Sequence, residues 1–488
     1  MAVDLDLYRD EADRFLAALD EEHYLHYAGL KPTLDLEPIY DRHAGLTEPS
    51  TCRELGEAGP GARQLWRFAC EGHLARATRA EAGELARLEA SLAADVAGAS
   101  IPYRELRPSI ANEPDRERRA ALDRARTALV SSRLEPLLAA ARERHAEEVR
   151  ALGQPSARAL YEAFGLRLDE LAAACERVLE DSESDYVDAF DALCRERLGL
   201  GLDDVRRHDL PRLWRDPASD EAFPARLMVP ALEATLAGLG IDLRAQRNIE
   251  LDVEDRPTKD PRAFCAVIEV PGRVVLSVRP IGGRDDWRAL FHEAGHAEHF
   301  GHTAARLPLE ARRLGDDAVT EGYAFLLEHL VDDPTWLGRR LDVGRPGTLA
   351  RDFAPLLLFA LRRYCAKLLY ELELHGEGAD LERLRDRYVE LQLRATRIEP
   401  SPADFLLDVD EGFYAASYLR AWGLEAGLHA HLAGEHGSAW FAQRRAGDLL
   451  RELWHEGQGM DADTLLRELT GHPVELDATV ERARQRLG

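Results

Sequence analysis

The chain has 488 residues, of which 45% are hydrophobic, and it carries 89 acidic against 63 basic side chains for a net charge of −26. That length allows two or three packed lobes with a sizeable core. So acidic a balance argues against a nucleic-acid partner and against an anionic membrane surface.

The opening "MAVDLDLYRDEADRF" is acidic and amphipathic. It lacks a basic segment followed by an apolar one, so no signal peptide is expected. Residues 5–27, 62–98, 114–150, 156–180 and 185–197 are rich in Ala, Leu, Glu and Arg, with apolar positions three and four apart. That spacing predicts amphipathic helices. The clusters "GPGA" (59–62), "SIPY" (100–103) and "GQPS" (153–156) separate them. Nothing in this half names a chemistry, and we read 1–245 as an N-terminal helical lobe. Six cysteines at 52, 70, 175, 194, 265 and 365 form no C-x-x-C pair. They are expected to be free thiols in a reducing compartment, which points to the cytoplasm.

The texture changes near residue 247, and 246–488 is read as a second, catalytic lobe. "FCAVIEVPGRVVLSVRP" (264–280) is β-branched and broken by Pro271-Gly272, which predicts a hairpin. Helical spacing then resumes, with Asp285 as the expected N-cap and Trp287, Leu290, Phe291 and Ala294 on one apolar face. This helix carries "RALFHEAGHAEHF" (288–300). His292 and His296, four apart, share a helix face and can hold one Zn²⁺, with Glu293 beside the water that the ion would activate. Neutral imidazoles bind the ion without cancelling its charge, and the carboxylate can take the water's proton.

A third ligand is needed. His302 extends the run to a metzincin-like spacing, but that class requires Gly where His299 stands, and a Met-turn. The methionines here are Met1, Met228 and Met460. The alternative is Glu321, in "DDAVTEGYAFLLEHLV" (316–331), a second helix. Pro308 and Gly315 allow the chain to reverse before it, so that Glu321 can face the two histidines. Glu310 and Glu328 are less well placed, and Glu328 is expected on a solvated face. His299 is read as a polar core or supporting residue. Asp316 and Asp317 are read as acids that start the second helix, with orientation of a ligand histidine as the alternative. The run "FAPLLLFALRRY" (353–364) is too short to span a membrane and is expected to be a buried helix.

The stretch 264–299, "FCAVIEVPGRVVLSVRPIGGRDDWRALFHEAGHAEH", resembles the hairpin-then-H-E-x-G-H block of the thimet oligopeptidase and oligoendopeptidase F family of zinc metallopeptidases, which are of the gluzincin type. The resemblance implies a mainly α, two-lobed metallopeptidase with a deep cleft, a small β-hairpin or sheet beside the zinc helix, and short peptides as substrates. In that family the third ligand is a Glu twenty-five residues after the second histidine, which falls on Glu321. "EGFYAASYLRAWGLEAGL" (411–428) is similar to the family's F-Y-x-x-x-Y segment. The similarity implies that Tyr414 and Tyr418 donate hydrogen bonds to the tetrahedral oxyanion. The family has a His shortly before these tyrosines; here "LLDVDEG" (406–412) places Asp408 there, leaving His429 or His431 as substitutes. The hairpin edge is expected to pair with an extended peptide. Two competing readings remain. One is a metallocarboxypeptidase on the same scaffold, which needs a cation such as Arg420 for the substrate carboxylate. The other is a non-catalytic peptide-binding relative, against which the intact Glu293 argues.

Overall fold

The computed structural model describes residues 3–341 and 343–487, and the fold is mainly α, as expected from the sequence. The chain packs as two compact units. Unit one comprises Met1–Phe68, Pro217–Phe353 and Ser417–Arg482; unit two comprises Ala69–Asp216, Ala354–Ala416 and Ala483–Gly488. The sequence reading draws one boundary near residue 245, whereas these units are interleaved along the chain. Residues through Phe68 belong with the helix that bears His292, a long-range pairing that local composition does not encode.

In unit one, α1 (Leu5–Tyr27) begins where Asp4 accepts the N–H groups of Asp6 and Leu7. This is an N-cap that satisfies two otherwise orphaned donors. A three-stranded sheet follows in sequence: β1 (Ile249–Asp252), β2 (Phe264–Glu269) and β3 (Arg273–Ser277). The order is β1-β3-β2, with β1 parallel and β2 antiparallel to β3. The hairpin is the expected one; the parallel strand β1 is additional. Tyr24 and Ala28, at the end of α1, pack on Ala266, Ile268 and Val275 of the sheet.

Helix α2 (Arg284–His302) follows Gly282 and Gly283, whose φ values of 94° and 86° suit glycine. Its N-cap is Gly283, not the expected Asp285, which lies exposed in the first turn. The neighbouring Asp286 instead accepts the N–H groups of Ile281 and Gly282 at 2.8 and 2.9 Å. Trp287, Leu290, Phe291 and Ala294 form the buried face, as their spacing predicts. The rings of Trp287 and Phe291 meet Trp336 edge-on, at 6.2 and 5.1 Å.

Helix α3 (Asp317–Glu328) lies against α2 at very close range. A Cβ on Gly295 would sit 2.5 Å from Ala324 Cα and 2.7 Å from Tyr323 O, both backbone atoms. On another side of α3, a Cβ on Gly322 would meet Leu424 Cδ2 at 2.6 Å. Leu424 belongs to α4 (Tyr414–His436). Every residue of α3 from Ala318 to Glu328 is therefore buried. Gly295→Ala is expected to force α2 and α3 apart, to destabilise by about 1–3 kcal/mol, and to weaken any metal binding that needs both helices. Thermal unfolding with and without zinc checks this; an unchanged midpoint in both conditions would contradict the close approach.

Unit two is built from helices and one short hairpin, Ala93–Val96 with Ala99–Pro102. The hairpin corrects the expected continuous helix over 62–98. Ala97 and Gly98 both take positive φ, 55° and 82°, and make the two-residue turn. Buried arginines tie this unit together: Arg126 bonds both carboxylate oxygens of Asp404, and Arg362 caps the carbonyls of Leu179 and Ala395. The six cysteines are free thiols. Among the described residues no helix is long and apolar enough to cross a membrane.

Candidate metal centre

Two adjacent helices supply the site. On α2, His292 and His296 stand one turn apart with ring centroids 4.9 Å from each other. Glu321 projects from α3, and its Oε2 lies 3.3 Å from His292 Nε2 and 3.7 Å from His296 Nε2. These three residues offer ligand atoms all within 4.8 Å of one another. Donors about 2.0–2.1 Å from a tetrahedral zinc ion stand about 3.3 Å apart. The spacing therefore fits a His₂Glu site with one position left open. Glu321 is 4% exposed, while His292, Glu293 and His296 are half-buried.

The other imidazole nitrogens are engaged. His292 Nδ1–H donates to Glu328 Oε2 at 2.8 Å, and His296 Nδ1 shares a 2.8 Å hydrogen bond with Thr320 Oγ1. Both Nε2 atoms thereby face Glu321, the arrangement that supporting partners impose on ligand histidines. Glu328 is held in turn by Arg288, whose Nε donates to it at 2.7 Å. Asp332 links Arg288 to the buried Arg284. Glu328 thus lies in the buried layer between the helices, contrary to the expected solvated face. An apolar stripe did not reveal this because α3 is enclosed on all sides. The signal available in the sequence was its spacing, seven residues or two turns beyond Glu321 on the same face.

Charge separates the two histidines. Burial opposes the charge on His292, but hydrogen bonds to Glu321 and Glu328 outweigh it and raise its pKa to about 10. His296 meets a neutral hydroxyl instead, and burial lowers it to about 4. Without metal the site therefore holds a proton on His292, which binding of an ion must displace. Burial holds Glu293 up at about 7, and its Oε2 accepts the Cys265 N–H of β2 at 2.9 Å. Burial also works against the Glu328 carboxylate, yet Arg288 and His292 keep its pKa well below the usual range.

The remaining sequence candidates separate clearly. His302 Nδ1–H donates to Glu298 O at 2.9 Å, and its ring lies tilted 5.4 Å from that of Trp454, outside the ligand group. His299 is fully buried with its ring 5.0 Å from that of Tyr323, a polar residue in the core. Asp316 caps α3 through Ala318 N–H, and Asp317 pairs with Arg67, so both are helix-start acids. Glu310 pairs with Arg9. Tyr418 reaches the site's surroundings through Phe325, whose ring lies 5.7 Å from Tyr418 and 5.0 Å from His292. Tyr414 belongs to unit two, where it is half-buried. Asp408, in the same unit, is bound by Arg363 and Tyr388. His429 lies 3.9 Å from Asp333 and is not part of the ligand group. Arg420 is committed to Asp316 through two bonds of 2.8 and 2.6 Å, which corrects its candidacy as a carboxylate receptor.

A scan of protein-family models and a search of curated proteins return no match to this chain.

Glu328→Gln tests the supporting contact on His292. The amide keeps the volume but weakens the acceptor, and zinc affinity is expected to fall roughly 10- to 100-fold. Competition with a chromogenic chelator measures it; an unchanged affinity would make Glu328 a packing residue only.

Proposed function

We propose that the protein is a zinc-dependent metallopeptidase acting on short peptides. The observation that carries this reading is the convergence of His292 Nε2, His296 Nε2 and Glu321 Oε2, with Glu293 on the accessible side of the same helix turn. The resemblance to the thimet oligopeptidase and oligoendopeptidase F family agrees with it.

A zinc ion held there would supply a Lewis acid that acidifies water and polarises the scissile carbonyl. The chain's own residues do the rest. Glu293 takes a proton from the attacking water as its oxygen bonds to the carbonyl carbon. The C–N bond then breaks, and Glu293 delivers that proton to the departing amine. By the resemblance alone, Tyr414 and Tyr418 would donate to the oxyanion. Strand β2 is the edge of its sheet, and the Cys265 N–H points outward to Glu293 rather than to β3. Such an edge can align an extended peptide beside the base. Free cysteines and the acidic surface suit a cytoplasmic protein without nucleic-acid or membrane partners.

Mass-spectrometric digestion of a mixed library of short peptides tests the proposal. Cleavage by the zinc-loaded chain that stops with 1,10-phenanthroline and returns with added zinc supports it. No cleavage by a fully zinc-loaded chain would shift the reading to a peptide-binding protein.

A further inference from the structure

The peptidase reading, on which this inference rests, leaves open which end of a peptide the site addresses. Three elements of unit one meet at the N-terminal end of β2. Cys265 N–H contacts Glu293 there. One residue earlier, Phe264 meets the Tyr27 ring edge-on at 6.1 Å, and Tyr27 stacks on His23 at 5.9 Å. Tyr27 is braced in this way yet 40% exposed, one of the few large apolar side chains open to solvent. Asp260 joins the pieces. Its N–H donates to Tyr27 O at 2.7 Å, and its Oδ1 accepts the Arg262 N–H at 2.8 Å.

Arg262 is exposed, and among the described residues its guanidinium has no ion-pair or hydrogen-bond partner. It stands three residues before Cys265, whose N–H meets Glu293. The other arginines around the site are spent: Arg288 on Glu328, Arg312 on Asp13, Arg313 on Asp20 and Arg420 on Asp316.

Direction follows from the strand. Antiparallel pairing is the more stable ladder. A peptide laid antiparallel on β2 runs from the Glu269 end towards the Phe264 end. The bond opposite Glu293 then lies at Cys265, and the chain beyond it heads past Phe264 towards Arg262. Three residues of extended chain span about 10 Å, so a substrate that ends one to three residues after the scissile bond brings its terminal carboxylate to the guanidinium. Guanidinium and carboxylate are matched for a paired, charge-assisted contact.

We propose that Arg262 holds the C-terminal carboxylate of the substrate while Tyr27 and Phe264 receive the side chain of the departing end, so that the enzyme removes short C-terminal fragments from peptides. The test uses two N-acetylated hexapeptides ending in Phe, one with a free C-terminal acid and one with a C-terminal amide. They are digested by zinc-loaded wild type, Arg262→Gln and Arg262→Lys, with zinc content confirming an intact site. Wild type is expected to favour the free acid at least tenfold in kcat/KM and to cut within three residues of its end. In Arg262→Gln that preference should collapse towards one, mainly through KM, and Arg262→Lys should recover part of it. Equal cleavage of acid and amide by wild type, or a preference that survives in Arg262→Gln, would overturn the inference and leave the peptidase reading standing. Cleavage of neither peptide would overturn both.

Discussion

Glu293→Gln is expected to keep zinc at wild-type stoichiometry and to lower kcat by roughly 10²- to 10⁴-fold, the range of a general base. The two properties separate because Glu293 is not among the three converging residues that could hold the ion. The amide has the same shape, and its oxygen can still accept the Cys265 N–H that Glu293 Oε2 accepts at 2.9 Å. Only the capacity to take a proton is lost. Burial holds the carboxyl up at about 7, so the base form dominates above that pH. Activity of the wild type should therefore fall as pH drops through 7 or somewhat below, because a bound cation draws the carboxyl down. Single-turnover rates beside zinc analysis measure the effect. A variant that retains wild-type kcat would place the base elsewhere.

Glu321→Ala is expected to act on the metal first. Removing one of three protein ligands should cost on the order of a quarter of a typical structural-zinc binding energy, about 3–4 kcal/mol, or two to three orders of magnitude in affinity. Without metal the fold should suffer less. Glu321 helps keep a proton on His292, and its removal eases that arrangement rather than breaking a packed core. The signature is a thermal midpoint that zinc raises in wild type and no longer raises in the variant. Zinc bound at wild-type affinity would mean that the third ligand is not Glu321.

What the sequence revealed depended on the range of the interaction. The bounds of α1 and the hairpin were legible because their periodicity is local, and His292 and His296 because a four-residue spacing fixes a shared helix face. Glu321 needed two helices to meet, and Gly295 is the residue that lets them meet so closely. Strand β1, only four residues long, was missed because its identity comes from pairing with β3, far along the chain. The hairpin around Ala97-Gly98 was hidden inside a stretch of helix-forming composition. Glu328 was misplaced because burial of a whole helix leaves no polar face to recognise. The interleaving of the two units, finally, depends on contacts that no local window contains.

The central claim is that His292, His296 and Glu321 hold a metal ion, and zinc-edge X-ray absorption on the zinc-loaded protein tests it most directly. The account predicts one zinc per chain, with two imidazole nitrogens and carboxylate or water oxygen at about 2.0–2.1 Å and no sulfur. Substoichiometric zinc, or a first shell lacking imidazole, would contradict it.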